Sequence, residues 1–196
     1  LLATDHIINS AAKTYYMSGG KVSAPMVFRG LNGVAAHVAA QHSQDFASWY
    51  MNIPGLKVIA PSNAHDAKGL LKAAIRDPNP VIFLENELLY GVSFDVPDSE
   101  DHIVPIGKAA VKKQGTDVTI VAFSICVRLA LEAAEQLAAE GINAEVIDLR
   151  TLVPLDLDTI TASVAKTGRC MVLHEATLTS GFGAELTALV QENCFY

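Results

Sequence analysis

The sequence predicts an α/β protein in two halves, each built on a doubly wound and mostly parallel sheet. Short apolar runs such as residues 56–60 do not alternate with polar residues, which is typical of strands buried on both faces of a parallel sheet. Segments with helical spacing lie between these runs, so that strand, helix and strand follow one another. A proline-rich and acidic stretch without periodicity separates the two halves.

The first half is expected to contain two helices and three strands. A helix over residues 2–17 is ended by Ser18, Gly19 and Gly20. Ser62 or Asn63 is able to cap a second helix that runs to about Arg76, where Asp77, Pro78, Asn79 and Pro80 end it. The predicted strands are residues 24–29, 56–60 and 81–84, and the first two are taken as short buried strands.

The second half repeats the alternation of strands and helices. Strands are expected at residues 118–123, 144–149 and 170–174, and helices at residues 127–139 and 157–166. A final helix is expected to open after Ser180-Gly181-Phe182-Gly183. The predicted organisation is therefore a domain over residues 1–92, a linker over residues 93–105 and a second domain over residues 106–196.

Composition excludes several classes of protein. The formal charge is −7 over 196 residues, whereas a nucleic-acid-binding domain needs a basic face for the phosphates. No apolar run reaches the roughly 18 residues that a membrane span requires. The cysteines, Cys126, Cys170 and Cys194, are widely spaced and odd in number, which favours buried free thiols over a disulfide framework.

Residues 28–44 (FRGLNGVAAHVAAQHSQ) are poorly explained as core. Gly30 and Gly33 allow a tight turn or a close approach, and small residues lead to a polar cluster that contains His42. Imidazole titrates near neutrality, so His42 is a candidate acid or base, and the alternative is a packed or surface histidine. His37 lies five residues earlier, a spacing that does not suit a shared metal on a helix.

This segment and three others carry a resemblance to a known family. Together with HIINSAAKTYYMSGG at residues 6–20, the segment that ends in ENELLYG at residue 91, and EVIDLRTLVPLDLDTI at residues 145–160, it resembles the β subunits of thiamine-dependent pyruvate dehydrogenase. The resemblance implies a transketolase-like fold. The first domain would be an N-terminally incomplete pyrimidine-binding domain, and the second a C-terminally incomplete transketolase C-terminal domain.

The resemblance also implies roles for individual residues. His42 would lie beside the reactive thiazolium of thiamine diphosphate, a cofactor shared with an α subunit that also holds magnesium. The glutamate that pairs with the aminopyrimidine ring is expected upstream of Leu1. A structural potassium ion would be held mainly through backbone carbonyls at Met26, Ala74, Ile75, Asp77 and Asn79. Leu31 and His37 depart from the family pattern within the loop.

The function implied is oxidative decarboxylation of pyruvate with transfer of the acetyl group to lipoamide. The partners would be the α subunit, in an α2β2 heterotetramer, and the dihydrolipoyl acetyltransferase component, in a mitochondrial matrix or a bacterial cytoplasm. Residues 173–182 (LHEATLTSGF) look more like a branched-chain 2-oxo acid dehydrogenase, and acetoin dehydrogenase is a further relative. The alternative of another class is a non-catalytic α/β scaffold or binding subunit, in which His42 is merely structural.

Some residues stay ambiguous at this stage. Glu85 and Glu87 follow a predicted strand at its carboxyl end, where ligands of parallel sheets collect, but a solvated acidic edge fits equally. The glycines at residues 181 and 183 open a helix that could hold an anion, although helix packing is the commoner reason for such a pair. His174 and Glu175 are expected to be structural.

Overall fold

The computed structural model describes residues 2–195. The helices are α1 (Leu2–Asp5), α2 (Ala12–Met17), α3 (Ala47–Met51), α4 (Ala64–Arg76), α5 (Ile125–Ala139), α6 (Leu157–Thr167) and α7 (Phe182–Cys194). The strands are β1 (Val27–Leu31), β2 (Lys57–Ile59), β3 (Val81–Glu85), β4 (Ala110–Lys113), β5 (Val118–Ala122), β6 (Ala144–Asp148), β7 (Thr151–Val153) and β8 (Cys170–Leu173). A π-helical turn, His6–Ala11, joins α1 to α2, and short 3₁₀ segments occupy Ala40–His42 and Glu87–Gly91. Among residues 2–195, none of the helices combines the length and apolar character needed to cross a bilayer.

The first sheet has the strand order β1, β3, β2, β7. Strand β3 pairs in parallel with both β1 and β2, so that Val81 stands opposite Val27 and Lys57. Every residue of β3 is buried, because the strand lies between two neighbours and both faces are covered. Strand β7 follows β6 in the sequence, yet it pairs antiparallel with β2 in the first sheet. The second half of the chain therefore completes the sheet of the first half.

The second sheet has the strand order β4, β6, β5, β8. Strand β5 pairs in parallel with β6 and β8, whereas β4 is antiparallel to β6 at the edge. Helix α5 contributes Cys126, Val127, Ala130 and Ala134 to a core with Ile120 and Val146 of the sheet. Both sheets are thus parallel inside with an antiparallel strand at one edge, and the expected α/β class is confirmed.

The helix boundaries follow local hydrogen bonding. Asn63, not Ser62, caps α4, since its side-chain oxygen accepts a hydrogen bond of 2.8 Å from the backbone N–H of Asp66. Helix α4 ends at Arg76, as expected, directly before the segment Asp77-Pro78-Asn79-Pro80. Gly19 and Gly20 adopt positive φ values of 61° and 80° after α2, as the Ser-Gly-Gly stop predicts.

The expected strand at residues 24–29 is displaced and is not buried. Strand β1 spans Val27–Leu31, and Arg29, Gly30 and Leu31 are exposed. Its position explains the difference, because β1 lies at the edge of its sheet and has a single neighbour, β3. The sequence reasoning also missed α3, β4 and β7, which are three to five residues long and too short to establish a period.

A buried ionic network joins the two halves. Asp66, in the first turn of α4, is 0% exposed and accepts a hydrogen bond of 2.8 Å from Nζ of Lys112 in β4. Arg150 places a guanidinium nitrogen 2.9 Å from the other oxygen of Asp66. Asp148 is also fully buried and accepts a hydrogen bond of 2.5 Å from the hydroxyl of Ser62. Charged groups at this depth are tolerated because each has a partner.

Candidate active site

The loop between β1 and α3 has a hydrogen-bonded base. The backbone N–H of Gly33 donates to the carbonyl of Gln44 over 2.7 Å, and the two residues form an isolated antiparallel bridge. The buried side chain of Asn32 accepts a 2.7 Å hydrogen bond from the N–H of Phe46. Residues 34–43 therefore protrude from a fixed base at the carboxyl end of β1, an edge at which ligands of parallel sheets collect.

His42 lies near the end of this loop, in the 3₁₀ segment, with an exposed side chain. It lines a cleft of about 320 Å³ together with Leu31, Phe46 and Glu87. The cleft brings together the loop and the segment that follows β3, which are far apart in the sequence. An imidazole in this position is accessible to a substrate and able to exchange protons with it.

The tip of the loop is strained. His37 and Ala39 both have positive φ, at 59° and 57°, and ψ of Ala39 is −169°. That second combination is almost confined to glycine, and each such residue costs on the order of 1–3 kcal/mol. His37, one of the residues that depart from the family pattern, takes a conformation that histidine adopts more often than most residues do. Leu31, the other, ends β1 with a half-exposed side chain on the rim of the cleft.

Glu85 is not a solvated acidic edge. Its side chain is 7% exposed, and its Oε1 accepts a 2.7 Å hydrogen bond from Nε of Arg29. Its Oε2 accepts a 2.5 Å hydrogen bond from the hydroxyl of Tyr90. Burial and the hydrogen bond to Glu85 raise the pKa of Tyr90 to about 12, and the same carboxylate raises the pKa of Arg29. Glu85 thus connects the end of β3 to Arg29 and Tyr90 and has a structural role, while Glu87 lines the cleft.

Glu175 reaches the base of the loop from the second half of the chain. Its Oε2 accepts a 2.7 Å hydrogen bond from the backbone N–H of Val34, and its Oε1 accepts one of 3.1 Å from the side-chain amide of Asn86. Gly33 has φ of 86°, and a Cβ at this position would overlap Oε1 of Glu175. The sequence reasoning took Glu175 as structural and did not connect it with His42.

The expected potassium turn lies where α4 meets β3. The carbonyl of Met26 accepts a hydrogen bond of 2.8 Å from the N–H of Val81, and that of Ala74 accepts one of 3.2 Å from the N–H of Asp77. Each carbonyl oxygen keeps a second lone pair for a cation. Ile75 lies in the last turn of α4, where carbonyls lack donors within the helix.

The carboxylate of Asp77 is already engaged in protein contacts. Its Oδ1 accepts a 2.9 Å hydrogen bond from the N–H of Asn79, and its Oδ2 pairs with the ammonium of Lys57. The donor set therefore fits a hard monovalent cation held by peptide oxygens, with no charge supplied by Asp77. Within residues 2–195, no group of three or more His, Cys, Asp and Glu side chains is placed to hold a metal ion.

The remaining candidates have structural explanations. Helix α7 opens after Gly181, and a Cβ at Gly181 or Gly183 would overlap the ring of His174, which favours packing over anion binding. The ring of His174 stacks on that of Phe123 at a centroid distance of 6.4 Å. Burial raises the pKa values of Cys126 and Cys170 to about 11, so both thiols stay protonated at neutral pH. Only Cys126 among the three expected buried thiols is fully buried, since Cys170 and Cys194 are half-buried.

Family models match both halves of the chain. The model described as the transketolase pyrimidine-binding domain matches residues 3–93, and the model of the transketolase C-terminal domain matches residues 107–196. The chain belongs to the transketolase-like family. The pyrimidine-binding domain implies thiamine diphosphate as the cofactor of this family.

Named relatives within the transketolase-like family point to one branch of it. The chain is 60% identical to "Pyruvate dehydrogenase E1 component subunit beta" of Rickettsia bellii over 193 residues, which are 98% of this chain and 59% of the relative. It is 57% identical to the mitochondrial protein of that name from Dictyostelium discoideum, over 98% of this chain and 55% of the relative. The suspected resemblance to these β subunits is thereby confirmed. The chain spans about half the length of the curated relatives that it matches.

A solved structure supports the transketolase-like fold independently. It is "Split gene transketolase, inactive beta4 tetramer", with a TM-score of 0.79 and 26% sequence identity. The alignment covers 98% of this chain and 59% of that one. The two-sheet arrangement is therefore shared with a transketolase-like protein whose sequence is considerably different.

Proposed function

We propose that the chain acts as the β subunit of a pyruvate dehydrogenase E1 component. With an α subunit, it would decarboxylate pyruvate oxidatively and transfer the acetyl group to lipoamide. The observation that carries the proposal is the presentation of His42, in a cleft at the carboxyl edge of the first sheet, by a loop with a fixed base. The names of the relatives support the same reaction.

The residues of the chain would have distinct tasks in this reaction. When bound, thiamine diphosphate supplies the carbanion and the electron sink that decarboxylation of a 2-oxo acid requires. His42 would donate or accept a proton at the oxygen of the reacting carbonyl group, because its imidazole is exposed to the cleft and both ring nitrogens are able to exchange protons. Leu31 and Phe46, which line the same cleft, would limit the access of water to the reacting atoms.

In this proposal, the active site is shared between this chain and the α subunit. Residues 1–92 would form the pyrimidine-binding domain, residues 93–105 a linker and residues 106–196 the C-terminal domain. The glutamate that pairs with the aminopyrimidine ring would lie upstream of Leu1, and the α subunit would supply the magnesium site. Potassium would stabilise the site from below, held at the end of α4 mainly by the backbone carbonyls of Met26, Ala74, Ile75, Asp77 and Asn79.

The assembly would be an α2β2 heterotetramer that delivers its product to a dihydrolipoyl acetyltransferase. The relatives include a mitochondrial protein and a bacterial one, so the compartment would be a mitochondrial matrix or a bacterial cytoplasm. Residues 173–182 resemble a branched-chain 2-oxo acid dehydrogenase, whereas ENELLYG at residues 85–91 favours pyruvate, and the substrate comparison below distinguishes the two.

The test is a comparison of wild type and His42→Ala in the assembled enzyme with its α subunit. We expect decarboxylation followed by lipoyl transfer to fall about 100-fold or more in the variant, the range for loss of a general acid or base. An unchanged rate would remove the catalytic role and favour a scaffold. Pyruvate, branched-chain 2-oxo acids and acetoin are compared by kcat/KM, and a preference for either of the last two would replace pyruvate as the substrate.

A further inference from the structure

Glu175 connects three segments that are distant in the sequence. It lies in the loop after β8, 141 residues from Val34 and 89 residues from Asn86. Its carboxylate accepts one hydrogen bond from each of these residues, one to each oxygen. Val34 begins the protruding part of the loop that carries His42, and Asn86 precedes the 3₁₀ segment that places Glu87 in the same cleft.

The partners of Glu175 are themselves held in place. Asn86 is 1% exposed, and its side-chain oxygen caps the 3₁₀ segment by accepting a 3.0 Å hydrogen bond from the N–H of Leu88. These two hydrogen bonds fix the orientation of the Asn86 amide, with its oxygen toward Leu88 and its nitrogen toward Glu175. Gly33 lets the carboxylate lie directly against the loop base, because a side chain at this position would overlap it.

The surroundings of Glu175 disfavour its ionised form. Burial raises the pKa of Glu175, and the neighbouring carboxylate of Asp45 raises it further, while the hydrogen bonds from Val34 and Asn86 lower it. Both oxygens of the carboxylate accept N–H groups, the arrangement that an ionised group requires. A half-buried carboxylate beside another acid, with one oxygen bonded to the site loop and the other to Asn86, is poorly explained by packing alone.

We propose that Glu175 is a positioning residue that fixes the His42 loop and the Asn86 cap in a common geometry. The inference rests on the function proposed for His42. Among the described residues, the second half of the chain lines no part of the cleft, so Glu175 would act on the cleft through the loop and the cap that it holds. Small displacements of a catalytic group cost large factors in rate, so a loosened loop should affect turnover more than substrate binding.

The test compares Glu175→Ala and Glu175→Gln with wild type by two measurements. In the assembled enzyme, Glu175→Ala should lower kcat about tenfold with little change in KM. Glutamine keeps one acceptor for the N–H of Val34 but turns its own N–H toward the amide of Asn86. The kcat of Glu175→Gln should therefore lie between those of wild type and Glu175→Ala. Hydrogen exchange of the amides of Gly33, Val34 and Phe46, which are hydrogen-bonded at the base of the loop, should be at least about tenfold faster in Glu175→Ala, because the hydrogen bond from Val34 is lost and the base is loosened.

Glu140→Gln is the matched control, since Glu140 is exposed beyond the end of α5 and touches neither the loop nor the cleft. Unchanged exchange at the amides of Gly33, Val34 and Phe46 in Glu175→Ala would overturn the inference. Equal acceleration in strands β5 and β6 would also overturn it, because Glu175 would then stabilise the fold as a whole. If exchange rises in the loop but His42→Ala retains activity, the function proposed for His42 fails while the hold of Glu175 on the loop stands.

Discussion

The Nε atom of Arg29 donates a hydrogen bond of 2.7 Å to Oε1 of Glu85, between the neighbouring strands β1 and β3. The side chain of Glu85 is 7% exposed, whereas that of Arg29 is 54% exposed. Arg29→Met leaves a buried carboxylate with Tyr90 as its remaining side-chain donor. We expect the free energy of unfolding in urea to fall by about 1–2 kcal/mol, the cost of an incompletely satisfied buried group reduced for the exposure of Arg29.

Arg128→Met provides the matched control. Arg128 pairs with Glu132 through the same atoms at 2.8 Å, but both side chains are more than half exposed on α5. Pairs of this kind contribute about 0.5 kcal/mol or less, because water solvates both charges when the contact is broken. An equal decrease in the free energy of unfolding in the two variants would contradict the importance of burial at Glu85.

The sequence predicted the long elements of the fold and failed where tertiary context decides. Helices α4, α5 and α6 have clear periods and end signals within a single segment, so local information is sufficient. Strand β7 has three residues, and its partner is β2 in the other half of the chain. No local pattern predicts a strand pairing across the linker. Only the structure shows that β7 of the second half pairs with β2 of the first.

The candidate site was predictable to the same extent. The glycines and the polar cluster around His42 are a local signal, and they indicated a loop after the first strand, whereas the cleft that His42 lines is formed with a distant segment. Glu175 gave a weaker signal, because one acidic residue after a strand is common at such edges. Its contact with Val34 spans 141 residues, and sequence reasoning without an alignment has no means of detecting a contact of that range.

Gly183→Ala tests the packing of α7 against His174. Alanine is ordinarily favoured over glycine in a helix by about 1 kcal/mol, so the change would stabilise an unhindered site. Here a Cβ would overlap Nε2 of His174, whose ring is stacked on Phe123 and has little room to move. We therefore expect a lower midpoint of thermal unfolding in Gly183→Ala.

The control for this variant is Gly91→Ala, where nothing lies within 4 Å of the added Cβ. Its unfolding midpoint should stay close to that of wild type, by circular dichroism under the same conditions. A stabilised Gly183→Ala would show that His174 moves aside freely, and the packing explanation for this glycine would be wrong.

Potassium should stabilise the chain if the turn after α4 binds it. A ligand that binds the native state alone stabilises it by about 2.7 kcal/mol at 100 times its Kd. We expect the midpoint of thermal unfolding to be higher in potassium chloride than in tetramethylammonium chloride at equal ionic strength. Because the ligands would be carbonyls, Asp77→Asn should retain the difference between the two salts. Identical midpoints in the two salts would remove potassium from the proposal.

Asp148 should give stability an unusual dependence on pH. Its complete burial raises its pKa to about 6, against the opposing effects of the hydrogen bond from Ser62 and the charge of Lys112. Between pH of about 4 and 6 the carboxyl is thus protonated in the folded chain and ionised in the unfolded chain, so unfolding releases a proton. The contribution of Asp148 to stability therefore decreases as pH rises through this window and stays low above it.

Asp148→Asn isolates this contribution, because asparagine has no charge to bury and keeps an acceptor for the N–H of Arg150. Free energies of unfolding are measured in urea at several pH values from 4 to 7 for the variant, wild type and the exposed control Asp101→Asn. Asp66 does not interfere in this range, since hydrogen bonds from Lys112 and Asn63 and the charge of Arg150 outweigh the effect of burial and lower its pKa to about 2. The stability of Asp148→Asn relative to wild type should rise with pH up to about 6 and then level off, while that of Asp101→Asn stays constant. A constant difference for Asp148→Asn would mean that Asp148 remains ionised in the folded chain, with its charge compensated by Lys112.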